Sequence, residues 1–182
     1  GRGAHFLDAP ISGGVEGAIN GQLSVMVGGD SEILQRIRPL IDCYSSRIIH
    51  MGEIGNGQAT KAVNQVLIAG IAEAVCEGLA LGDHLQLPRQ ELLQVLSGGA
   101  AHCWFLEKRG DTMLNDEFEK GFKLALLLKD LNILNSISSQ MKLTLPVVEA
   151  SLRDYQALVE QGYGEMDISA LIKTKKRLLQ TN

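Results

Sequence analysis

The stretch GEIGNGQATKAVNQVLIAG, residues 52–70, decides the fold, because strand-like sequence gives way to helical sequence within it. Three glycines open it, and Lys61, Asn64 and Gln65 then stand at positions i, i+3 and i+4, which share one face of a helix. Glycine lets a backbone approach a ligand closely, and the start of a helix favours negative charge. The stretch indicates either a site for an anionic, oxygen-rich small molecule or a first-turn lysine with two amides facing water.

Two familiar phosphate-binding motifs do not fit this stretch. A P-loop needs a lysine directly after a glycine and a serine or threonine directly after the lysine, whereas Thr60 precedes Lys61 and Ala62 follows it. A dinucleotide fingerprint needs a third glycine three residues beyond the second, and Thr60 stands at that place after Gly57. The sequence therefore excludes both motifs here.

Composition points to a globular chain of one large or two small domains, with 182 residues, 45% hydrophobic residues and a net charge of -4. The basic run KTKKR at 173–177 falls in the last predicted helix, so we expect a solvated helix end rather than a nucleic-acid site. The apolar stretch 63–81 is interrupted by Glu73 and Glu77, which favours a buried helix over a membrane span.

The cysteines and histidines give no metal or disulfide pattern. Three cysteines without CxxC spacing predict reduced thiols and a cytoplasmic location. The four histidines lie far apart without metal-ligand spacing, so we expect no metal site.

Two regions follow from the pattern along the chain, with a predicted boundary between residues 54 and 55. Region 1–54 reads as strand, loop, strand, helix and strand, which is too little for a complete sheet with covered faces. Region 55–182 is helical throughout, so the predicted fold class is mostly α. Six helices are expected there: 58–86, one opening at Pro88, 102–114, 121–141, one opening at Pro146, and 167–179.

The long helix predicted over 58–86 is apolar over most of its circumference. A helix that is buried all round needs partners on every side. Because the chain offers few strands to cover it, we expect a homodimer formed through the helical domain.

A second unusual stretch, DAPISGGVEGAINGQLSVMVGG at 8–29, places turn residues after a predicted strand. The run Ser12, Gly13 and Gly14 can present consecutive backbone amides and a hydroxyl, which suits a carboxylate. By itself the run also fits an ordinary glycine-rich turn. Together with Lys61, it indicates a pocket for a hydroxy acid or an aldehyde acid.

These segments resemble the β-hydroxyacid dehydrogenases, which include 3-hydroxyisobutyrate dehydrogenase and tartronate semialdehyde reductase. The resemblance is carried by DAPISGG and GQLSVMVGGD, by GNGQATKAVNQ, and by GFKLALLLKDL at 121–131, and it spans nearly the whole chain. It implies an α/β Rossmann-type domain that binds NAD or NADP, followed by an all-helical, 6-phosphogluconate-dehydrogenase-like domain. The chain resembles only the last part of such an enzyme: region 1–54 would be the last strands and helix of the nucleotide domain, and 55–182 the helical substrate and dimerisation domain.

The resemblance also implies roles for single residues. Lys61 matches the lysine that exchanges a proton with the substrate oxygen, and a lysine can do so when burial and neighbouring charge bring its pKa towards the working pH. Ser12, Gly13 and Gly14 match the loop that binds the substrate carboxylate. Asn64 and Gln65 match the amide pair that orients the substrate; many members have asparagine at the second position.

Two further residues, Lys129 and Phe122, are expected at the cofactor. Lys129 matches a lysine that lies beside the cofactor and substrate in the family. The alternative is an ion pair with a nearby acid such as Asp130, because burying an unpaired cation within LALLLKDLNIL would cost free energy. Several relatives carry a histidine two residues earlier, where this chain has Leu127. Phe122 and Trp104 are expected to line the pocket or to belong to the core.

The resemblance predicts an NAD(P)-dependent oxidoreductase that interconverts a small β-hydroxyacid and its semialdehyde or keto form, as a homodimer or tetramer that binds neither nucleic acid nor membrane. The 182 residues alone are expected to be inactive. The alternative is a non-catalytic, dehydrogenase-like oligomerisation module, against which the presence of Lys61 argues. An imine reductase is disfavoured, because such relatives usually lack this lysine.

Overall fold

The computed structural model describes residues 3–119 and 121–180. Within them the chain forms eight α-helices and four short strands, which confirms the predicted mostly helical fold class. The chain divides into two compact units, Gly1–Gln65 and Val66–Asn182. The longest helix, Asn56–His84, begins in the first unit and continues in the second, and the boundary proposed at residues 54 and 55 stays a prediction.

The first unit combines a small sheet with short helices. Its elements are β1 (Leu7–Asp8), β2 (Ile11–Ser12), α1 (Gly14–Ile19), β3 (Leu23–Gly29), α2 (Ser31–Ile41), β4 (Ser45–His50) and the first turns of α3 (Asn56–His84). The sequence analysis assigned α1 to a loop, because its six residues include two glycines and show no apolar period.

Strand β3 is the centre of this sheet. β1 and β2 pair with it antiparallel, with Asp8 opposite Gly28 and Ile11 opposite Val25, while β4 pairs with it in parallel. Pro10 separates β1 from β2, yet its carbonyl still accepts the N–H of Met26 at 3.0 Å. The segment 7–12 is thus fixed along β3 over its whole length. The core of the unit consists of Val25, Val27, Leu34, Ile41 and Ile48.

The second unit is helical. It contains the remainder of α3, then α4 (Arg89–Ser97), α5 (Trp104–Leu114), α6 (Leu124–Gln140), α7 (Pro146–Glu160), a 3-10 turn (Ile168–Leu171) and α8 (Ile172–Gln180). The expected helices are found within a few residues of their predicted bounds. Pro88 caps α4 instead of occupying its first turn, and the last expected helix is divided into the 3-10 turn and α8.

The prediction that KTKKR forms a solvated helix end is wrong. Lys175 is buried, and its Nζ lies 2.8 Å from Asp154 Oδ2 of α7 and 2.5 Å from Glu73 Oε2 of α3. Burial alone would lower the pKa of Lys175, but the hydrogen bonds to Asp154 and Glu73 outweigh it and raise the pKa above its usual value. This cation therefore joins three helices from inside the unit.

Helix α3 is not covered on all sides within the single chain, as the small number of strands led us to expect. Val63, Leu67, Ile71 and Leu81 are between 39% and 61% exposed. Of the helices in the described residues, α3 is long and apolar enough to cross a membrane by length and composition, although 39% of its most apolar window is buried inside the protein. A helix in the core of a globular protein passes the same test.

Cys43, Cys76 and Cys103 are free thiols in the structure.

Candidate active site

Lys61 lies in the second turn of α3 and is half-buried. Its Nζ donates a hydrogen bond to the backbone carbonyl of Ile11 at 3.0 Å. Ile11 directly precedes Ser12 in β2, so the ammonium group is held against the strand that leads into the glycine-rich turn. The first unit thereby brings together the two stretches that the sequence analysis had linked only by their chemistry.

The two amides beyond Lys61 bind each other. Asn64 Nδ2 donates to Gln65 Oε1 at 2.9 Å, and Gln65 is only 2% exposed while Asn64 is half-buried. The buried glutamine fixes the orientation of the asparagine side chain. The predicted contact of both amides with a ligand stays a prediction.

The turn Ser12, Gly13 and Gly14 has the backbone shape that glycine permits. Gly13 has φ of 127° and Gly14 has φ of 63°, values that other residues rarely adopt. Both glycines are exposed and Ser12 is half-buried. The turn therefore lies at the surface directly after the strand that carries the Lys61 contact, as a ligand-binding turn requires.

Asp8 belongs to the site although no sequence pattern marks it. This residue is buried, and its Oδ1 accepts the N–H of Gly55 at 2.6 Å while its Oδ2 accepts the N–H of Gln58 at 2.8 Å. Burial raises the pKa of the Asp8 carboxyl, but the hydrogen bonds from Gly55 and Gln58 outweigh it, so the pKa is below its usual value. Asp8 thus caps α3 from a strand some fifty positions away, where no local capping pattern could reveal it.

Glycine is required where α3 begins against the sheet. A Cβ atom at Gly57 would lie 2.5 Å from the carbonyl oxygen of Met26 and 2.6 Å from Asp8 Oδ2, and one at Gly28 would collide with Asp8 Oδ1. In the GNGQ segment, Gly57 thus permits the close approach of α3 to β1 and β3, whereas Gly55 supplies a backbone with φ of 94°.

Lys129 belongs to the second unit, and its surroundings correct the sequence analysis. It is not enclosed in the apolar run, since its side chain is 63% exposed, and its Nζ lies 3.1 Å from Asp130 Oδ1. The ion pair named as the alternative is therefore present. Lys129 lines an open groove of about 550 Å³ together with Leu128, Asn132 and Ser136.

Phe122 and Trp104 are also in the second unit. Phe122 is half-buried, and its backbone N–H donates to Asp167 Oδ2 at 2.9 Å. Asp167 is buried, and it also pairs with Arg109 at 3.4 Å. Trp104 is 59% exposed, and the Arg109 guanidinium lies 5.5 Å from its ring centre. A buried aspartate thus fixes the start of the GFK segment, as Asp8 fixes the start of the GNGQ segment.

A larger open cleft, of about 850 Å³, lies after β3 and β4 in the first unit. The carboxylate residues Asp30, Glu32 and Glu53 line it, and none of the predicted site residues does. Carboxylates repel phosphate and carboxylate groups, so this cleft does not suit an anionic ligand. In residues 3–119 and 121–180, no cluster of three histidine, cysteine or acidic side chains could hold a metal ion.

Comparison with protein families gives two matches. Residues 55–175 match the family model described as "NAD-binding of NADP-dependent 3-hydroxyisobutyrate dehydrogenase". Residues 1–52 match the model for the NAD binding domain of 6-phosphogluconate dehydrogenase.

Among individual relatives, an uncharacterized oxidoreductase of Shewanella frigidimarina is 39% identical over 88% of this chain and 53% of its own length. The 2-hydroxy-3-oxopropionate reductase of Escherichia coli is 36% identical over 94% of this chain and 59% of its own. The solved structure of Mycobacterium tuberculosis 3-hydroxyisobutyrate dehydrogenase with L-serine is 35% identical, with a TM-score of 0.83 over 92% of this chain and 60% of that one. The chain thus spans little more than half the length of these relatives.

Proposed function

The chain belongs to the 3-hydroxyisobutyrate dehydrogenase family, and on that premise we propose that the protein containing it is an NAD(P)-dependent oxidoreductase of small β-hydroxyacids. The observation that carries the proposal is the hydrogen bond from Lys61 to the Ile11 carbonyl, which holds an ammonium group next to the Ser12 turn. An anion-binding turn and a proton donor are the two groups that a hydroxy acid needs.

Lys61 is the proposed general acid and base. In the oxidative direction its neutral amine takes the proton from the substrate hydroxyl as the carbonyl forms, and in the reductive direction its ammonium returns that proton to the oxygen. NAD or NADP, when bound, would supply the hydride chemistry at the carbon atom that bears this oxygen. Because the Ile11 carbonyl already accepts one hydrogen bond from Nζ, the lysine is oriented before the substrate arrives.

The substrate carboxylate is assigned to the turn Ser12, Gly13 and Gly14. The left-handed backbone at both glycines suits a concave arrangement of amides that binds anions, and the Ser12 hydroxyl adds a donor. Asn64, held by Gln65 at 2.9 Å, orients the substrate next to Lys61.

Lys129 and Phe122 are proposed to lie beside the cofactor. The groove at Lys129 offers an ammonium, the Asn132 amide and the Ser136 hydroxyl next to the apolar Leu128. A groove lined by both hydrogen-bond donors and an apolar side chain is suited to one edge of a nucleotide.

A substrate panel tests the proposal. The natural gene product that contains this chain is mixed with NAD or NADP and with 3-hydroxyisobutyrate or L-serine, and the reduced cofactor is measured by absorbance; reduction of 2-hydroxy-3-oxopropionate is followed in reverse. Isobutyrate, which lacks the hydroxyl, and isobutanol, which lacks the carboxylate, are the matched controls. We expect turnover of at least one β-hydroxyacid and of neither control. No turnover with any β-hydroxyacid and either cofactor would favour the alternative, a non-catalytic oligomerisation module.

A homodimer or tetramer is proposed on the exposed face of α3. In the second unit, Leu67, Ile71, Ala74, Gly78 and Leu81 recur at intervals of three or four residues, and all of them are exposed. Such an apolar stripe is suited to packing against another helix.

A cytoplasmic location is proposed on the free cysteines alone.

A further inference from the structure

Asp8 is a buried carboxylate outside the set of groups assigned above, although it lies in the same segment as Ser12. Both of its oxygens accept backbone N–H groups of the α3 start, at 2.6 Å from Gly55 and 2.8 Å from Gln58. A carboxylate at the start of a helix is favoured by the helix dipole and by the otherwise unpaired first amides. With both oxygens occupied and its pKa lowered, Asp8 is poorly suited to accept a proton from a substrate.

The segment that carries Asp8 holds α3 at two successive turns. Asp8 contacts the first turn through Gly55 and Gln58, and the Ile11 carbonyl contacts the second turn through Lys61 Nζ at 3.0 Å. The first contact is made by backbone N–H groups and the second by a side chain of the next turn. The two contacts together fix the rotation of α3 about its axis, and with it the direction of the Lys61 side chain.

The segment itself is fixed along β3. Asp8 pairs with Gly28 and Ile11 with Val25, and the Pro10 carbonyl between them accepts the Met26 N–H at 3.0 Å. The distance between the Asp8 clamp and the turn that begins at Ser12 is thus set by the sheet. The clamping residue Asp8, the Ile11 carbonyl that contacts Lys61, and the turn that begins at Ser12 follow one another within residues 8–14.

We infer that Asp8 is a positioning residue, which clamps the start of α3 so that the Lys61 ammonium is held at a fixed place relative to the Ser12 turn. The inference rests on the proposed function, because it assigns Asp8 a role through Lys61. Asp8 acts on kcat by placing the lysine and not by touching the substrate.

The test compares Asp8→Asn with Asp30→Asn in the natural gene product. Asp30 is the matched control, since it caps a different helix, α2, through Glu32 at 2.7 Å and Ile33 at 3.3 Å. A small displacement of a catalytic group can lower the rate by about 100-fold. We expect Asp8→Asn to lower kcat by about 10- to 100-fold with little change in the KM for the cofactor, and Asp30→Asn to leave kcat within about twofold of the wild type.

The double variant Asp8→Asn/Lys61→Ala separates positioning from general damage to the fold. If Asp8 acts through Lys61, the double variant has the same kcat as Lys61→Ala alone, because coupled residues are not additive. A further loss in the double variant, or an unchanged kcat in Asp8→Asn, overturns the inference. Should Asp8→Asn fail to fold, Asp8→Glu, which keeps both acceptor oxygens at a longer reach, replaces it in both comparisons.

A second measurement keeps the inference separate from the proposed function. If the wild type turns over no β-hydroxyacid, the proposed function has failed, and the clamp is then tested by hydrogen exchange at the Gly55 and Gln58 amides. Exchange there should become faster in Asp8→Asn and stay unchanged in Asp30→Asn. Equal exchange in Asp8→Asn and the wild type overturns the clamp itself.

Discussion

At the scale of single residues, the candidate site depends on glycine as much as on lysine. Gly57 brings the first turn of α3 so close to the sheet that a Cβ there would lie 2.5 Å from the Met26 carbonyl oxygen and 2.6 Å from Asp8 Oδ2. Neither oxygen can move easily, because Met26 lies in β3 and Asp8 is bound to two amides. Gly57 therefore has a steric role in addition to any role at a ligand.

Gly57→Ala should destabilise the fold. Overpacking of this kind costs about 1–3 kcal/mol of unfolding free energy, which urea denaturation measures as a lower midpoint at an unchanged slope. Gly98→Ala is the control, because Gly98 ends α4 with an ordinary right-handed backbone and a Cβ there would make normal contacts at 3.7 Å. Equal midpoints for the two variants would contradict the close approach at Gly57.

The residues of the candidate site were only partly predictable. Lys61 and the Ser12 turn follow from local spacing, because a helix face and a turn are written in neighbouring residues. Asp8 does not, because its partners are 47 and 50 positions away and a capping carboxylate normally directly precedes its helix. The mutual hydrogen bond of Asn64 and Gln65 was missed too, since spacing gives the face of a helix but not the partner of an amide.

At the scale of the helices, one buried cation connects α3, α7 and α8. Lys175 lies 2.5 Å from Glu73 and 2.8 Å from Asp154, and all three side chains are at most 15% exposed. Glu77 is also near, at 3.7 Å, but it is 72% exposed. The helix bounds were predictable because apolar periodicity and proline positions are local, whereas the burial of Lys175 was not, because its two main partners are brought there by the fold.

Lys175→Met should destabilise the helical unit strongly. It leaves the carboxylates of Glu73 and Asp154 enclosed without their cation, and breaking a buried ion pair from one side costs about 3–5 kcal/mol. Glu77→Ala removes only the exposed partner and should cost at most about 1 kcal/mol. Chemical denaturation measures the free energy of unfolding of both variants. If Lys175→Met lowers it no more than Glu77→Ala does, the ion-pair network does not hold the helices together.

At the scale of the whole molecule, an apolar stripe on α3 is exposed in the single chain. Leu67 is 60% exposed and Ile71 39% exposed. The sequence predicts a dimer because α3 is apolar over most of its circumference, and the exposed stripe is the face on which that prediction can be tested.

The relatives are longer than this chain, so we also expect the 182 residues alone to show no hydride transfer.

Leu67→Glu should convert the proposed oligomer to a monomer, because it places a charge on the apolar stripe at its most exposed leucine, which is 60% exposed. Light scattering on the natural gene product gives the mass directly. Gln94→Glu, which adds the same charge at an exposed position of α4, should leave the mass unchanged. An oligomer that persists in Leu67→Glu would place the interface elsewhere.

The central claim is that Lys61 transfers the proton in an NAD(P)-dependent reaction, and the turnover of Lys61→Ala tests it most directly. A positioned acid or base contributes about 100- to 10,000-fold to the rate, so the variant should lose kcat by a factor in that range while its thermal unfolding stays that of the wild type. Lys108→Ala, which removes a lysine that is 48% exposed on α5, should keep full activity. Wild-type turnover in Lys61→Ala would contradict the account.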